Sequence, residues 1–444
     1  MKKRKKNSIK KHSSYQLLNS KLIKNIIFAS LFFNFILGQN STSIRTNFIA
    51  NQNIHPFINN NSSGLYSNEV KNNYLIKSKL KKERFEYQIM LSIFEKDVSF
   101  LDSYFTYNFK KMDLGLGNFK TNVKNRDLEL SSGSMVLSNN ANGIPSFYVD
   151  SRWLKIKNFK LRAQLVHGEF PKQNRFKVGP LLHYKSLHFQ TKINTNKIIQ
   201  FGVEHAVQWG GIDINGNKLP ERATDYKDVF LGQKGGSSSP FLDQVNRIGN
   251  GLGAFNILYS SDNDGKIFQF YYDHYFDDES GVKFKNFGDG LIGLSYKTNT
   301  FNFLFEHINT THQSGNQHPP GVDSYYFHEV YLFGWSNSGI SMGNIFITPE
   351  NNRRKINNFG FKSYFKNLDI VLRYAKADNY VPYNEKNNNL PIENHNSLIS
   401  SNNYINFGLN YKILNESLII HANYYMQTGH IDSNNAIIGI TYNI

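Results

Sequence analysis

Between Lys266 and His307, hydrophobic and polar residues alternate through three runs. Phe268, Phe270 and Tyr272 oppose Gln269, Tyr271 and Asp273. Ile292, Leu294 and Tyr296 then oppose Gly293, Ser295 and Lys297, and Phe301, Phe303 and Phe305 oppose Asn302 and Glu306. A period of two predicts strands with one apolar and one polar face. Their connectors differ in kind. Thr298-Asn299-Thr300 is tight-turn material, whereas Phe276 to Asp289 is long, acidic and punctuated by glycine. A short turn at one end and a decorated loop at the other is the local form of a membrane barrel.

The same alternation recurs along most of the chain. Runs are predicted at 84–93, 101–109, 112–116, 146–157, 159–167, 186–193 and 198–205, and near 325–335 and 340–347. Others follow at 359–365, 368–376, 405–413, 418–427 and 436–444, giving about 16–18 strands in all. Lys120 to Pro145 breaks the pattern and is expected to form a loop or an inward-folded hairpin. From Ile198 onward the connectors alternate long and short. Long ones begin at Ala206, Phe276, Asn309 and Ala377; short ones lie at Ser260 to Gly265, Thr298, Lys366 and Leu414. An outer-membrane barrel sorts its connectors in this way, short in the periplasm and long outside. A soluble β-sandwich has no reason to do so. The fold class is therefore all-β, an antiparallel transmembrane barrel with long extracellular loops and short periplasmic turns.

Composition agrees with this reading and narrows it. The 444 residues include 26 Tyr and 36 Phe, a strand-forming aromatic load, and no Cys. A disulfide framework, a thiolate metal site and a lipidated N-terminal cysteine are thereby excluded. Mean hydropathy of −0.49 is compatible with a barrel, because half of each strand is expected to face the wet lumen of a wide barrel. The net charge of +17 owes much to nine lysines and arginines that precede the apolar run Ile26 to Leu37. A basic segment, an apolar run and a small residue at Gly38 form a secretory signal, the run falling short of the ~20 residues that span a bilayer. Residues 1–38 are thus expected to be a signal peptide, 39–82 a periplasmic segment with a short helical or plug element, and 83–444 the barrel. Export places the protein in a Gram-negative outer membrane. It leaves the basic cluster as part of a leader, with no nucleic-acid role.

Parity assigns Arg84, Glu86, Gln88, Arg162, Gln164, His188, Gln190, Lys192, Glu204, Asp273, Lys297, Glu306 and Arg373 to the interior. Mixed signs favour cross-pairing over the one-sign stripe of an ion-selective pore. On the long-loop side, Trp209, Tyr325, Tyr326 and Trp335 could stack on sugar rings. Asp213, Asp273, Asp277, Asp278 and Asp289 could take hydroxyls in paired hydrogen bonds. Asp273 with Asp289, or Glu204 with Glu306, could be drawn as an acid/base pair for glycoside cleavage, but such pairs also arise by chance in a large barrel. No serine stands out as a nucleophile. The histidines lack an HExxH spacing and the loop acids lack an EF-hand pattern, so no catalytic residue, metal or other cofactor is assigned.

Several blocks in order carry a resemblance. They are SSGSMVLSNNANGIP (Ser131 to Pro145), LLHYKSLHF (Leu181 to Phe189), FGVEHAVQWGG (Phe201 to Gly211) and NRIGNGLG (Asn246 to Gly253). YYDHYFDDESG with DGLIGL follows between Tyr271 and Leu294, then THQSG through YYFHEVYLFGWSNSGISMGN between Thr311 and Asn344. In these the sequence resembles the Wzi-like capsule assembly proteins, in the form found in Bacteroidetes. The resemblance implies a large outer-membrane barrel with occluding loops that binds capsular polysaccharide and helps hold it on the cell. Its expected partners are that polysaccharide or another surface glycan, outer-membrane lipid, the barrel-assembly machinery and a polysaccharide exporter. A porin-like channel for small polar solutes is the alternative.

Overall fold

The computed structural model describes residues 40–51, 55–66, 71–95, 97–119, 129–171, 176–317, 321–383 and 396–444. The predicted signal peptide lies outside them. In chain order the strands are β1 (Asn40–Ile49), β2 (Asn73–Lys81), β3 (Phe85–Phe94), β4 (Asp97–Phe109), β5 (Met112–Asn118) and β6 (Pro145–Asp150). Next come β7 (Phe159–Glu169), β8 (Leu181–Lys192), β9 (Lys197–Trp209), β10 (Asn250–Asn263), β11 (Lys266–Phe276) and β12 (Gly290–Lys297). The last are β13 (Phe301–Asn309), β14 (Arg354–Phe365), β15 (Leu368–Tyr380), β16 (Leu398–Ile413), β17 (Leu418–Gly429) and β18 (Ser433–Asn443). Leu154–Ile156 extends β6 along β7. Each strand pairs antiparallel with its neighbours in the chain, and β1 pairs with β18 from Ser43↔Asn443 to Ile49↔Ile437. These eighteen strands therefore close, which removes every sheet edge.

Turn chemistry sets the register. Between β10 and β11, Asp264 and Gly265 both have positive φ, 52° and 80°, the geometry whose twist matches the flanking strands. Between β12 and β13, Thr298 Oγ1 accepts hydrogen bonds from the amides of Thr300 (3.2 Å) and Phe301 (3.0 Å). Parity along β11, β12 and β13 is as predicted. Phe270 and Ile292 lie exposed on the outer wall, and Gln269, Tyr271, Asp273, Ser295, Asn302 and Glu306 are buried inside. The C-terminal strand keeps its predicted parity too, with Tyr442 and Ile444 on the exposed outer face.

Three expectations need correction. Residues 39–82, read as a segment preceding the barrel, supply β1 and β2, because only β1 can close the sheet against β18. The runs at 325–335 and 340–347 are not wall strands. Only the two-residue pairing of Ser336–Asn337 with Ile340–Ser341 forms there; Tyr325, Tyr326, Trp335 and residues 342–347 are buried, while Phe327 and Leu332 stay exposed. Finally, the lumen is not a wide wet space. Its described part is occupied by three inserted segments, 55–66, 129–144 and 334–347, the last joined by Tyr325 and Tyr326.

Those segments share one core with inward strand residues. Phe57, Ile58 and Tyr66 come from the first, Met135 and Val136 from the second, and Trp335, Met342 and Phe346 from the third; Tyr184, Tyr271, Leu291 and Ile308 come from the wall. The first carries a single helical turn, α1 (Pro56–Asn59), in which His55 Nδ1 accepts from the amide of Phe57. Polar side chains lace the three together. Asn60 Nδ2 donates to Ser131 O and Asn140 Oδ1, both at 3.0 Å, Asn140 Nδ2 donates to Gly343 O (2.8 Å), and Asn344 Nδ2 donates to Ser132 Oγ (2.9 Å). Gly343 cannot be another residue here, since a Cβ would lie 1.9 Å from Tyr326 Oη. The run from Ile340 to Ile347 resembles strand sequence and is apolar because it is buried throughout.

Candidate functional site at the outer mouth

Three of the four residues proposed for sugar stacking serve the core instead, and the fourth is covered by a loop outside the wall. Trp335 is fully buried, and its Nε1 donates to Val136 O at 2.6 Å. Tyr326 Oη donates to Met135 O (2.5 Å) and accepts from the amide of Asn344 (2.8 Å). Tyr325, also fully buried, donates to Asp289 (2.9 Å) and accepts from Asn286 Nδ2 (2.6 Å). Trp209 points outward from the top of β9. The long loop folds down over it, burying it against Tyr226, Val229 and Ile248.

The acids divide in the same way. Asp273 and Asp289 are fully buried. Asp289 accepts from the amides of His312 (2.9 Å) and Gln313 (2.8 Å) as well as from Tyr325, so it ties those three residues together at the mouth. Burial pushes its carboxyl above the ordinary range despite those donors. Asp213 is half-buried and holds a local turn by accepting from Asn217 N and Nδ2, both at 2.8 Å.

Asp277 and Asp278 end the strand side of the next loop and meet Asp323 from across the mouth. Asp278 caps α2 (Glu279–Val282) by accepting from Ser280 N at 2.7 Å. Asp323 accepts from Ser280 Oγ (2.6 Å) and from Ser314 Oγ. Oxygens of the three carboxylates lie within 4.8 Å of one another, and among the described residues this is the group that could hold a hard cation. Asp323 was absent from the sequence-based set. Nothing in the sequence places it beside two acids more than forty positions upstream.

Proximity and burial have a titratable consequence. Burial and the Asp278 charge push the Asp323 carboxyl up to about 7, and burial with the charges of Asp323 and Asp278 raises Asp277 well above the usual carboxylate range. A carboxyl with a raised folded pKa binds more protons folded than unfolded. Loop stability is therefore greatest in acid and falls as pH rises from about 4, the unfolded value, through 7. Hydrogen exchange of residues 277–323, corrected for intrinsic rate, should show greater protection at pH 5 than at pH 8. Asp323→Asn should shrink that difference.

The acid/base pairings are closed off. Glu204 and Glu306 are buried, as are Asp273 and Asp289. Glu306 Oε1 accepts from Ser131 Oγ (2.6 Å) and Tyr271 Oη (2.8 Å), while Oε2 accepts from Ser132 N (2.8 Å), Ser132 Oγ (2.7 Å) and Asn358 Nδ2 (3.0 Å). With all five donors from the protein and no accessible surface, that carboxylate lies out of a substrate's reach. Those hydrogen bonds make it the anchor by which the 129–144 segment holds the wall.

A barrel whose lumen is filled by its own loops has its long-loop surface as the place to meet a ligand. The family profile for the capsule assembly protein Wzi matches residues 42–391. This chain belongs to the Wzi family. Among solved structures it is similar to Escherichia coli Wzi, an outer-membrane protein involved in group 1 capsule assembly and described as a carbohydrate-binding β-barrel. The TM-score is 0.60 at 13% identity, over 93% of this chain and 86% of that one. Pseudomonas aeruginosa OprD gives 0.48 at 9% identity, over 91% of this chain and 94% of that one, and OccD3 gives 0.47 at 11%, over 92% of each. At such identities the likeness is one of fold. No curated protein matches. Wzi membership and the eighteen-strand closure agree with the sequence expectation of an outer-membrane barrel.

Proposed function

We propose that this Wzi-family barrel binds capsular or another surface polysaccharide at its outer mouth and supports its attachment to the cell, without cleaving it. The observation that carries the reading is the family match across residues 42–391. The filled lumen supports it against the porin alternative, because inward His188, Gln200, Asn256, Gln269 and Asn302 are all buried. Of the residues first considered for the glycan, Asp213 and Asp278 keep accessible surface and are the ones proposed to meet hydroxyls directly, with a carboxyl oxygen of Asp277 buried beside Asp278. Trp209, Tyr325, Tyr326 and Trp335 act by fixing the loops that present them. Export by the N-terminal signal, insertion by the barrel-assembly machinery and delivery of glycan by a periplasmic exporter complete the proposed route.

Purified barrel in detergent should bind capsule fragments, and the Asp213→Asn, Asp278→Asn double variant should bind them at least several-fold more weakly. In a planar bilayer the wild-type protein should show little conductance. Unchanged affinity in the double variant would remove these acids from the site. Steady open conductance with no glycan binding would favour the porin.

A further inference from the structure

Part of the long-loop surface lies against the outside of the barrel, directly above its lipid-facing belt. The helix α3 (Ala223–Leu231) packs on the outer wall of β8 and β9: Tyr226 and Phe230 lie 5.4 and 5.5 Å from outward-facing His183, and Lys185 donates from Nζ to Phe230 O. On β10 and β11 the residues after α2 do the same. Phe284 stacks on outward His274 at 4.3 Å and on outward Phe255 at 5.7 Å, and Phe255 meets Phe276 at 5.1 Å.

Two observations fix the level of this layer. Ile257, the next outward position below Phe255, is 39% exposed on the bare wall, roughly 7 Å away along the strand. Phe189, Phe201 and Phe270 continue that exposed apolar belt around β8, β9 and β11. Above it the layer does not turn polar. Phe230, Leu231, Phe284 and Phe287 keep 39%, 53%, 48% and 75% of their surface exposed. Exposed Lys227, Lys283 and Lys285 alternate with them in sequence. Apolar rings flanked by lysines are the composition of a segment at a membrane interface, where rings enter the acyl boundary and ammonium groups reach the headgroups.

We propose that α3 and the 283–287 segment form a lateral shoulder immersed in the headgroup layer of the outer leaflet, with outer-leaflet lipid as its occupant. Continuity with the lipid-facing belt carries this assignment. Among the described residues the shoulder covers β7 to β11, Tyr226 also lying 5.6 Å from His167 of β7, so the barrel grips lipid higher on that side. The inference does not rest on the glycan reading.

The chain has no cysteine, which makes site-specific labelling clean. Single variants Phe230→Cys and Phe287→Cys, spin-labelled and reconstituted in bilayers, are compared with lipid-belt Ile257→Cys and with Asn215→Cys at an exposed loop tip. At Phe230 and Phe287 the label should collide more with oxygen than with a water-soluble nickel chelate, as at Ile257, and the reverse should hold at Asn215. Should Phe230→Cys fail to fold, Phe284→Cys reads the same layer. A chelate-dominated label at either position, as at Asn215, would overturn the proposal and place the shoulder in water.

Discussion

Glu306→Ala is expected to destabilise the plugged barrel by about 3–5 kcal/mol, the range for breaking a buried charged network. The side chain is fully buried and takes five hydrogen bonds, four of them from residues 131, 132 and 358. Removing it strands hydroxyl, amide and backbone donors where water cannot replace the acceptor, at about 1–3 kcal/mol for each group left unpaired. Arg373, which donates to Asn60 Oδ1 and to Leu130 O (3.2 Å) nearby, would also lose its nearby counter-charge. Glu306→Gln should be milder, because it keeps one carbonyl oxygen but points an NH2 at existing donors. The strand ladder itself survives, so the effect is a loosened plug. It should appear as a lower temperature for the heat-induced gel shift and as new conductance in planar bilayers. An alanine variant as stable and as closed as wild type would mean that the 129–144 segment is held by something else.

Trp335→Ala should cost a similar ~3–5 kcal/mol, the usual penalty for deleting a buried large aromatic. Its indole contributes to the shared core and donates to Val136 O, so the change creates a cavity and leaves a buried carbonyl unpaired. Trp335→Phe should recover much of the packing and none of the hydrogen bond. Because the ring has no accessible surface, glycan affinity per folded molecule should change little at low temperature, while the unfolding temperature drops. Lost affinity with unchanged stability would instead restore the stacking role that the sequence suggested.

The contrast between Phe270 and Trp335 shows what was legible from the sequence. On β11 to β13 every second residue must satisfy lipid, so alternation, tight turns and long loops reported the wall and its orientation directly. Ile340 to Ile347 satisfies a different demand, burial on all sides by the barrel's own interior, and an apolar run with that history has the same letters as a strand. Asn40 to Ile49 was missed for the opposite reason. Its Asn, Ser and Thr content gives no clean period, and its place is fixed by closure against a strand almost four hundred residues away. At the mouth the acids Asp277 and Asp278 were visible as a loop cluster. Their partner Asp323, and the pairing of Ser131 and Ser132 with Glu306 across some 175 positions, are products of tertiary folding alone.

The central claim is that this barrel holds polysaccharide on the cell. Its most direct test is to delete the gene and measure cell-bound and shed polysaccharide in the same culture. Glycan should move from the cells into the medium, with total synthesis maintained, and wild-type protein should return it to the surface. Polysaccharide that stays tightly cell-attached without the protein would contradict the account.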